Sequence, residues 1–282
     1  MAERNNILIT GCSSGIGRCV AAGLKDRGYR VITSARKEED VRELQRQGFE
    51  SLILDLAQSS SIDQAVKALS ELTDGRLYGL FNNGAYGQPG AVEDLSRKVL
   101  RQQFETNLFG WHELTCRVIP LMRRQGEGRI IQNSSILGFI TLPYRGAYVA
   151  SKYALEGLSD TLRLELAGSG IHVSLIEPGP IESRFRENAH AMFNRHIDSD
   201  RSVHREYYKA MVNRLEKQGH ATPFTLPPEA VLKRVIHALE SHNPKPRYHV
   251  TFPTRLFAVL RRLLSSRAMD RALLRVSGGG KR

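Results

Sequence analysis

The chain alternates short apolar runs with amphipathic helical segments over most of its 282 residues, and this alternation limits its fold more than any other feature. Short apolar runs are typical of buried strands, and the segments between them have helical spacing. Strands that alternate with helices indicate a parallel sheet covered on both faces, with a ligand crevice at the carboxyl ends of the strands. We therefore predict an α/β fold, a doubly wound parallel sheet in a single domain.

The same pattern gives approximate bounds for the elements. The predicted strands are Ile7 to Thr10, Tyr29 to Ser34, Ser51 to Leu54, Leu77 to Phe81, Arg129 to Asn133, His172 to Ile176 and Arg247 to Phe252. The predicted helices are Arg18 to Lys25, Glu39 to Gln47, Ser60 to Leu72, Arg97 to Arg124, Ala147 to Ala167 and Pro228 to Ser241. Parallel crossovers are nearly always right-handed, so these elements wind in only a few ways.

A turn with three glycines joins the first strand to the first helix. Gly11, Gly15 and Gly17 remove side chains where a backbone would approach a pyrophosphate, and the helix start offers free amides to its charge. The spacing is G-x-x-x-G-x-G, which differs from the dinucleotide fingerprint G-x-G-x-x-G, and an ordinary glycine-rich loop is the alternative. Strand, turn and helix together favour a Rossmann-type nucleotide site.

Tyr148 and Lys152 are one helical turn apart, and Ser135 precedes Tyr148 by thirteen residues. Side chains at i and i+4 share a helix face, so the ammonium can lie close to the phenol. An unperturbed phenol has a pKa of about 10, and a nearby cation favours the phenolate. Tyr148 is therefore predicted to be a general acid, although such pairs also occur on solvated helix surfaces.

Six motifs occur in order along the chain, from Thr10 to Gly17, then Asn82-Asn83, Asn107, Ser134-Ser135, Tyr148 to Lys152 and Pro178 to Ile181. Together they resemble the short-chain dehydrogenase/reductase superfamily, over roughly Asn6 to Asp270. The surrounding sequence is most similar to bacterial NADPH-dependent aldehyde reductases and more distantly to hydroxysteroid and retinol dehydrogenases. The order Asn82-Asn83-Gly84-Ala85 departs from the family's Asn-Asn-Ala-Gly.

The resemblance implies a role for each catalytic residue. Tyr148 would donate a proton to the substrate carbonyl oxygen, and Ser135 would hydrogen-bond that oxygen. Lys152 would bind the nicotinamide ribose and tune Tyr148. Asn107 would hold a water that links Lys152 to solvent, although a helix-capping or kink residue is the alternative. The implied reaction reduces an aldehyde or ketone to an alcohol; oxidation of a hydroxysteroid or retinol is the alternative.

The end of the second strand distinguishes the two nicotinamide cofactors. An acidic residue there would bind the ribose of NAD, whereas Ala35-Arg36-Lys37 offers cations for the 2′-phosphate of NADP. We therefore predict NADP(H), although Arg36 and Lys37 are also ordinary surface charges. The predicted cofactor contacts are Gly11, Ser13, Ser14, Gly15, Ile16, Gly17, Arg36, Asp55, Asn82, Tyr148, Lys152, Pro178, Gly179 and Ile181, with a simple turn residue as the alternative for Asp55. No metal site is predicted.

The segment of about residues 184–226 is the least patterned part of the chain and is the predicted substrate lid. Its apolar residues suit a mobile lid over an apolar pocket or, alternatively, the packing of a helix. They are Phe185, Met192, Phe193, Tyr207, Tyr208, Met211 and Phe224.

The net charge of +12 is concentrated in residues 181–282, which carry a net of +11. We predict a catalytic domain at 1–252 and a basic amphipathic tail at 253–282, with a helix over Pro253 to Val276. Such a helix would rest on an anionic membrane surface or, alternatively, pack on its own sheet or a subunit partner. No nucleic-acid motif accompanies the charge, so nucleic-acid binding is not expected.

The first six residues are polar, and no run approaches eighteen apolar residues. These features predict neither a signal peptide nor a spanning helix, and hence a cytoplasmic protein, with membrane association through the tail as the alternative. The three cysteines have no metal-ligand spacing and are predicted to be reduced thiols. The family resemblance implies a homodimer or homotetramer that acts on a small carbonyl or alcohol substrate.

Overall fold

A computed structural model describes residues 5–216, 219 and 223–278. Its centre is a sheet of seven parallel strands in the order β3-β2-β1-β4-β5-β6-β7. The strands are β1 Asn6–Ile9, β2 Arg30–Ala35, β3 Glu50–Ile53, β4 Gly79–Asn82, β5 Gly128–Asn133, β6 Ile171–Glu177 and β7 Arg247–His249. The order reverses between β1 and β4, which creates the crevice expected of a doubly wound sheet. The predicted fold class is confirmed.

Eleven α-helices lie in the described part of the chain. They are α1 Gly15–Asp26, α2 Glu38–Arg46, α3 Ser59–Leu72, α4 Arg97–Phe104, α5 Gly110–Gln125, α6 Gly146–Glu165, α7 Phe185–His196, α8 Arg205–Glu216, α9 Glu229–Glu240, α10 Phe252–Leu263 and α11 Ser266–Val276. The seventh strand was predicted to reach Phe252, but a helix begins there. Pro253 in the first turn explains the difference, because its fixed φ and missing N–H suit the start of a helix.

The helices cover both faces of the sheet with separate apolar cores. On one face Leu80 and Ile130 pack with Trp111 of α5 and Leu155 of α6. On the other face the apolar sides of α1, α2 and α9 pack against β1 and β2. Strands buried on both faces need nearly continuous apolar runs, which is why the sequence pattern located them.

The predicted helix Arg97 to Arg124 is interrupted. A single π-helical turn, Glu105–Phe109, separates α4 from α5 and contains the buried side chain of Asn107. Such π turns are often found at functional sites. Asn107 therefore lies within the interruption between α4 and α5, and the role predicted for it stays a prediction.

The predicted lid contains α7 and α8. Phe193, Tyr208 and Met211 are buried together in a cluster of their own, so these residues pack the two helices against each other. Residues 217–218 and 220–222 of this segment lie outside the described residues.

The tail forms two helices rather than the predicted single helix, because the chain is extended at Leu264 and Ser265 between α10 and α11. One apolar side of this pair, Phe257 and Leu273, is buried against Leu137 and the β5–α6 segment. The buried side of α10 and α11 therefore matches the alternative in which the tail packs on its own domain. In the described residues no helix is long and apolar enough to cross a membrane.

Candidate active site

The backbone of the glycine turn after β1 lies in close contact with the backbone of the loop after β4. Gly11 has φ +68°, and a Cβ there would lie 2.6 Å from Gly84 Cα. A Cβ on Gly17 would collide with the carbonyl oxygen of Gly11. Both glycines are therefore required by close approach. The order Gly84-Ala85 fits this contact, since a Cβ on Gly84 would lie 3.3 Å from Gly11 N.

The start of α1 faces the carboxyl ends of the strands. Ser14 is its N-cap in extended conformation, and its side chain makes no capping hydrogen bond. The first amides of α1, in the Ser13 to Gly17 turn, thus form the kind of helix N-terminus that binds phosphate. Cys12 in this turn is buried, which raises the pKa of its thiol to about 12 and fits an unreactive small residue.

The segment after β6 reaches across to this turn. The Pro178 carbonyl accepts a hydrogen bond from Ile136 N at 2.8 Å. A Cβ on Gly179 would collide with Thr251, and Ile181 pairs with Leu226 in an isolated parallel bridge. Ser183 follows and lies 3.0 Å from the position that a Cβ on Gly15 would occupy. Pro178, Gly179 and Ile181 are thereby fixed beside the crevice.

The residues after β2 and β3 have different surroundings. Arg36 is exposed, and no carboxylate lies within 4 Å of it among residues 5–216, 219 and 223–278. Its charge acts on Tyr86 and opposes the burial that raises the pKa of that phenol to about 12. Asp55 accepts a hydrogen bond from Ala57 N at 3.0 Å, which is the turn geometry named as its alternative role.

The two asparagines at the end of β4 have different surroundings, and the predicted cofactor contact of Asn82 stays a prediction. The Asn82 side chain is fully buried, and its Nδ2 donates to Thr115 Oγ1 of α5 at 3.0 Å. Asn83 instead donates to the carbonyl oxygens of Thr10 and Gly11 at 3.0 and 3.2 Å, and its Oδ1 accepts from Asn133. Asn83 is therefore the residue that joins the glycine turn to β5. The doublet in the sequence gave no means of choosing between the two.

Tyr148 and Ser135 meet at the end of β5. Their hydrogen bond lowers the pKa of the phenol, but burial acts more strongly and raises it to about 12. Ser135 is also fixed by Leu137 N, which donates to its Oγ at 3.1 Å. The Tyr148 ring lies 5.3 Å from the ring of Phe185 in an edge-to-face arrangement. The hydroxyls of Tyr148 and Ser135 thus lie next to each other at the edge of the sheet.

Lys152 is buried on the same helix face. Its Nζ donates to the Asn133 carbonyl at 2.7 Å and lies 4.1 Å from the Trp111 ring centroid and 5.8 Å from that of Tyr148. Burial lowers the pKa of the ammonium to about 7, and the charge of Glu156 opposes this shift. Desolvation is thus the largest cause of both pKa shifts, and it acts against the mutual attraction expected of the phenolate and the ammonium.

Asn107 holds the loop after β4. Its Oδ1 accepts from Tyr86 N at 3.2 Å, and its Nδ2 donates to Tyr86 O at 2.8 Å. It also donates to Ser151 Oγ of α6 at 3.4 Å. The side chain thus ties the π turn, the Tyr86 loop and the catalytic helix together.

A buried charged network lies behind Ser135 and Lys152. Ser134 Oγ donates to Glu156, and Arg247 Nη2 contacts Glu156 Oε2 at 3.0 Å. Arg247 Nε lies 3.2 Å from Glu177 Oε1 at the end of β6. Burial and the charge of Glu177 raise the pKa of Glu156 above its usual range. Sequence reasoning missed this network, because its members are far apart along the chain.

A cavity of about 100 Å³ opens beside the Tyr148 phenol. Apolar side chains from the β5–α6 segment, α7 and α8 form part of its wall, including Leu137, Phe185 and Met211. Two of the predicted lid residues, Phe185 and Met211, therefore border the space next to the phenol. Arginines complete the wall.

The sheet order, the glycine turn and the Tyr148–Lys152 helix define a Rossmann-type oxidoreductase. A sequence model of the family described as short chain dehydrogenase matches residues 5–193. The chain belongs to this family, the short-chain dehydrogenases/reductases, whose members bind nicotinamide cofactors.

Three proteins of similar sequence align with most of the length of this chain. "Uncharacterized oxidoreductase YbbO" of Escherichia coli is 47% identical over 270 residues, covering 96% of this chain and 94% of that protein. "NADPH-dependent 3-dehydrocapnine reductase" of Ornithobacterium rhinotracheale is 32% identical, with 94% of each chain covered. "Retinol dehydrogenase 16" of Mus musculus is 31% identical, covering 89% of this chain and 82% of that one. The predicted superfamily is confirmed.

The structure is similar to the crystal structure of a short-chain dehydrogenase from Streptomyces avermitilis. The TM-score is 0.76 at 28% sequence identity, with 99% of each chain covered. The likeness therefore includes the tail helices as well as the sheet.

Proposed function

We propose that the protein is an NADP(H)-dependent reductase that converts an aldehyde or ketone to an alcohol, with Tyr148 as proton donor. One observation carries the proposal. The Tyr148 phenol, hydrogen-bonded to Ser135 and on the same helix face as buried Lys152, lies beside a cavity at the carboxyl ends of the strands. This is where ligands bind in open α/β sheets.

The residues present fit a dinucleotide. The glycine turn leaves room for a backbone approach to phosphates, and the start of α1 has free amides with no side-chain cap. We assign Gly11, Ser13, Ser14, Gly15, Ile16 and Gly17 to the pyrophosphate, and Pro178, Gly179 and Ile181 to the nicotinamide. The bound cofactor supplies the hydride.

The choice of NADP over NAD rests on Arg36. It has no carboxylate partner within 4 Å in the described part of the chain, and it follows the buried Ala35, where an acidic residue would favour NAD. The relative from Ornithobacterium is named as NADPH-dependent, which supports the same choice. Asp55 and the backbone at Asn82 and Asn83 would border the adenosine.

The chain's own residues account for the proton. Because burial raises the pKa of Tyr148 to about 12, the phenol is protonated at neutral pH and is ready to donate to the carbonyl oxygen. Ser135 would hydrogen-bond the same oxygen. Lys152 would bind the nicotinamide ribose, and Asn107 would position the Tyr86 loop and α6 while holding a water near Lys152.

The substrate class is tested by turnover. The assay uses aldehydes, ketones, steroids and retinoids with NADPH, and the matching alcohols with NADP. It distinguishes an aldehyde or ketone reductase from the alternative, a hydroxysteroid or retinol dehydrogenase. The 31% identity to Retinol dehydrogenase 16 favours including retinoids. Turnover of retinol or a hydroxysteroid alone would support the alternative, and no turnover of any compound would refute the proposal.

We also propose that residues 253–282 act as a peripheral membrane contact beside a catalytic domain at 1–252. The outward side of α10 is apolar, with Val259 54% and Leu263 74% exposed. Arg255, Arg261 and Arg262 lie on the same helix, and basic apolar helices of this kind bind anionic membrane surfaces.

Because Phe257 and Leu273 are buried, truncation would damage the fold, and outward substitutions give a cleaner test. Full-length Val259→Ser/Leu263→Ser should lose co-sedimentation with phosphatidylserine vesicles at low salt while keeping wild-type activity. Val203→Ser, at an apolar residue 84% exposed outside the tail, is the control. Equal sedimentation of all three proteins, or sedimentation insensitive to salt, would reject the contact.

The family's tendency to form oligomers leads us to propose a homodimer or homotetramer. Exposed Phe109 and Leu100 beside α4 offer apolar surface for a second copy. Analytical ultracentrifugation of the wild type and Phe109→Ser tests this assembly. The cytoplasmic location stays a prediction.

A further inference from the structure

The cavity beside Tyr148 is bordered by three cationic side chains. Arg145 precedes α6, Arg186 belongs to α7 and Arg214 belongs to α8, and all three line the cavity. None of the cavity's described lining residues is acidic. Three positive charges therefore surround one small space next to the proposed proton donor.

Two of these cations lack an anionic partner in the part of the chain that the structure describes. Neither Arg145 nor Arg214 has a carboxylate within 4 Å there, and Arg214 Nε is buried without a hydrogen-bond partner. Burial and the charge of Arg214 lower the pKa of Arg145 to about 9. Both side chains are partly buried, and a cation removed from water in part and left unpaired is stabilised by a bound anion.

Backbone contacts hold the chain at Arg145, and a hydrogen bond holds the guanidinium of Arg186. Arg145 forms a parallel bridge with Gly90, and its carbonyl accepts from Val149 N at 2.9 Å, one turn into the helix that carries Tyr148. Arg186 donates to the carbonyl of Arg214 at 3.5 Å, which joins α7 to α8. The cavity wall is therefore built around these cations by contacts that need no ligand.

Resting on the reductase function proposed above, we propose that the substrate is a carbonyl compound with a carboxylate or similar anionic group, which Arg145 and Arg214 bind while its carbonyl faces Tyr148. Guanidinium groups hold carboxylates through charged, often bidentate, hydrogen bonds. Apart from Gln88 and Tyr148, the remaining wall is apolar or glycine and suits the carbon chain between the two ends of such a substrate.

The kinetic test compares ω-oxo acids of increasing length, from glyoxylate through 4-oxobutanoate to 6-oxohexanoate, with their methyl esters. At one length the acid should exceed its ester in kcat/KM by about 10- to 100-fold. Arg145→Gln and Arg214→Gln should bring that ratio close to one by lowering kcat/KM for the acid far more than for the ester. Arg201→Gln, at an exposed arginine paired with Asp198, is the control.

Binding without turnover separates this proposal from the proposed function. Calorimetry of the NADP-loaded protein should detect hexanoate more strongly than hexan-1-ol, and Arg214→Gln should abolish the difference. Carboxylate binding in a protein that reduces no carbonyl would refute the reductase function alone.

Three results would overturn the anionic substrate. Equal turnover of acids and esters by the wild type is one, and equal binding of hexanoate and hexan-1-ol is another. The third is an increase in the KM for NADPH as the main effect of Arg145→Gln and Arg214→Gln, since the arginines would then serve the cofactor's phosphates. Unchanged melting temperatures of both variants, or higher ones, exclude misfolding as the cause of any loss.

Discussion

Tyr148→Phe removes one oxygen from the proposed active site and leaves its packing nearly unchanged. The ring keeps its edge-to-face contact with Phe185 at 5.3 Å between centroids, and it remains partly buried. The hydrogen bond with Ser135 is lost, at a net cost of about 1 kcal/mol in stability. The variant should therefore fold and bind NADPH with affinity close to that of the wild type.

The effect on catalysis should be much larger. General acid assistance is worth about 10²–10⁴-fold in rate, which corresponds to roughly 3–5 kcal/mol in the activation free energy. The same hydroxyl governs the pH dependence. With the pKa of Tyr148 raised to about 12, reduction needs the protonated phenol that is present at neutral pH, whereas alcohol oxidation needs the phenolate and should accelerate as pH rises.

Single-turnover hydride transfer, followed by NADPH absorbance from pH 6 to 10, measures both effects. Tyr148→Phe should lose at least about 100-fold in the transfer rate and lose the alkaline rise of oxidation. Tyr153→Phe is the matched control, because it lies on the same helix and loses a hydrogen bond from Arg261 Nη1 at 2.6 Å. Near-normal transfer by Tyr148→Phe would refute the role of the phenol.

Three further predictions concern the cofactor site and the tail. Arg36→Gln should raise the KM for NADPH by about 10- to 100-fold and leave that for NADH unchanged; a wild type that prefers NADH would contradict this. Gly17→Ala should weaken NADPH binding measured by calorimetry, whereas Gly157→Ala, with no atom within 4 Å of the added Cβ, should not. Leu273 is 5% exposed, and Leu273→Ala should lower the free energy of unfolding by about 2–5 kcal/mol. Its neighbour Leu274 is 50% exposed, and Leu274→Ala should lower that free energy by under about 1 kcal/mol. Equal losses in denaturant titrations would show that α11 does not pack on the domain.

The sheet was predictable because its central strands, such as β1, β4 and β5, are mostly buried on both faces, and this condition leaves a local signal in the sequence. The ends of elements were less predictable. Phe252 reads as part of an apolar strand, yet Pro253 favours a helix start at that point. The interruption near Asn107 has no local marker of comparable strength, since it depends on contacts with the loop at Tyr86.

The sequence predicted which residues form the candidate site, but it did not predict their electrostatic environment. Spacing placed Tyr148 and Lys152 on one helix face, but it said nothing of burial, which moves both pKa values in the direction opposite to that expected from mutual attraction. The same limit applies to Arg145 and Arg214. They are 69 residues apart in the chain, and only the packing of α8 over the start of α6 brings them to one cavity.

Two groups of arginines in the last third of the chain have different surroundings. Arg186 and Arg214 line the cavity, where low dielectric makes each charge act strongly at short range. The tail arginines lie mostly in solvent, where salt weakens each of them. A net charge read from sequence cannot separate these groups, but ionic strength can. Discrimination between an acid and its ester should survive about 0.5 M salt, whereas vesicle binding should be lost, because the Debye length falls below about 5 Å.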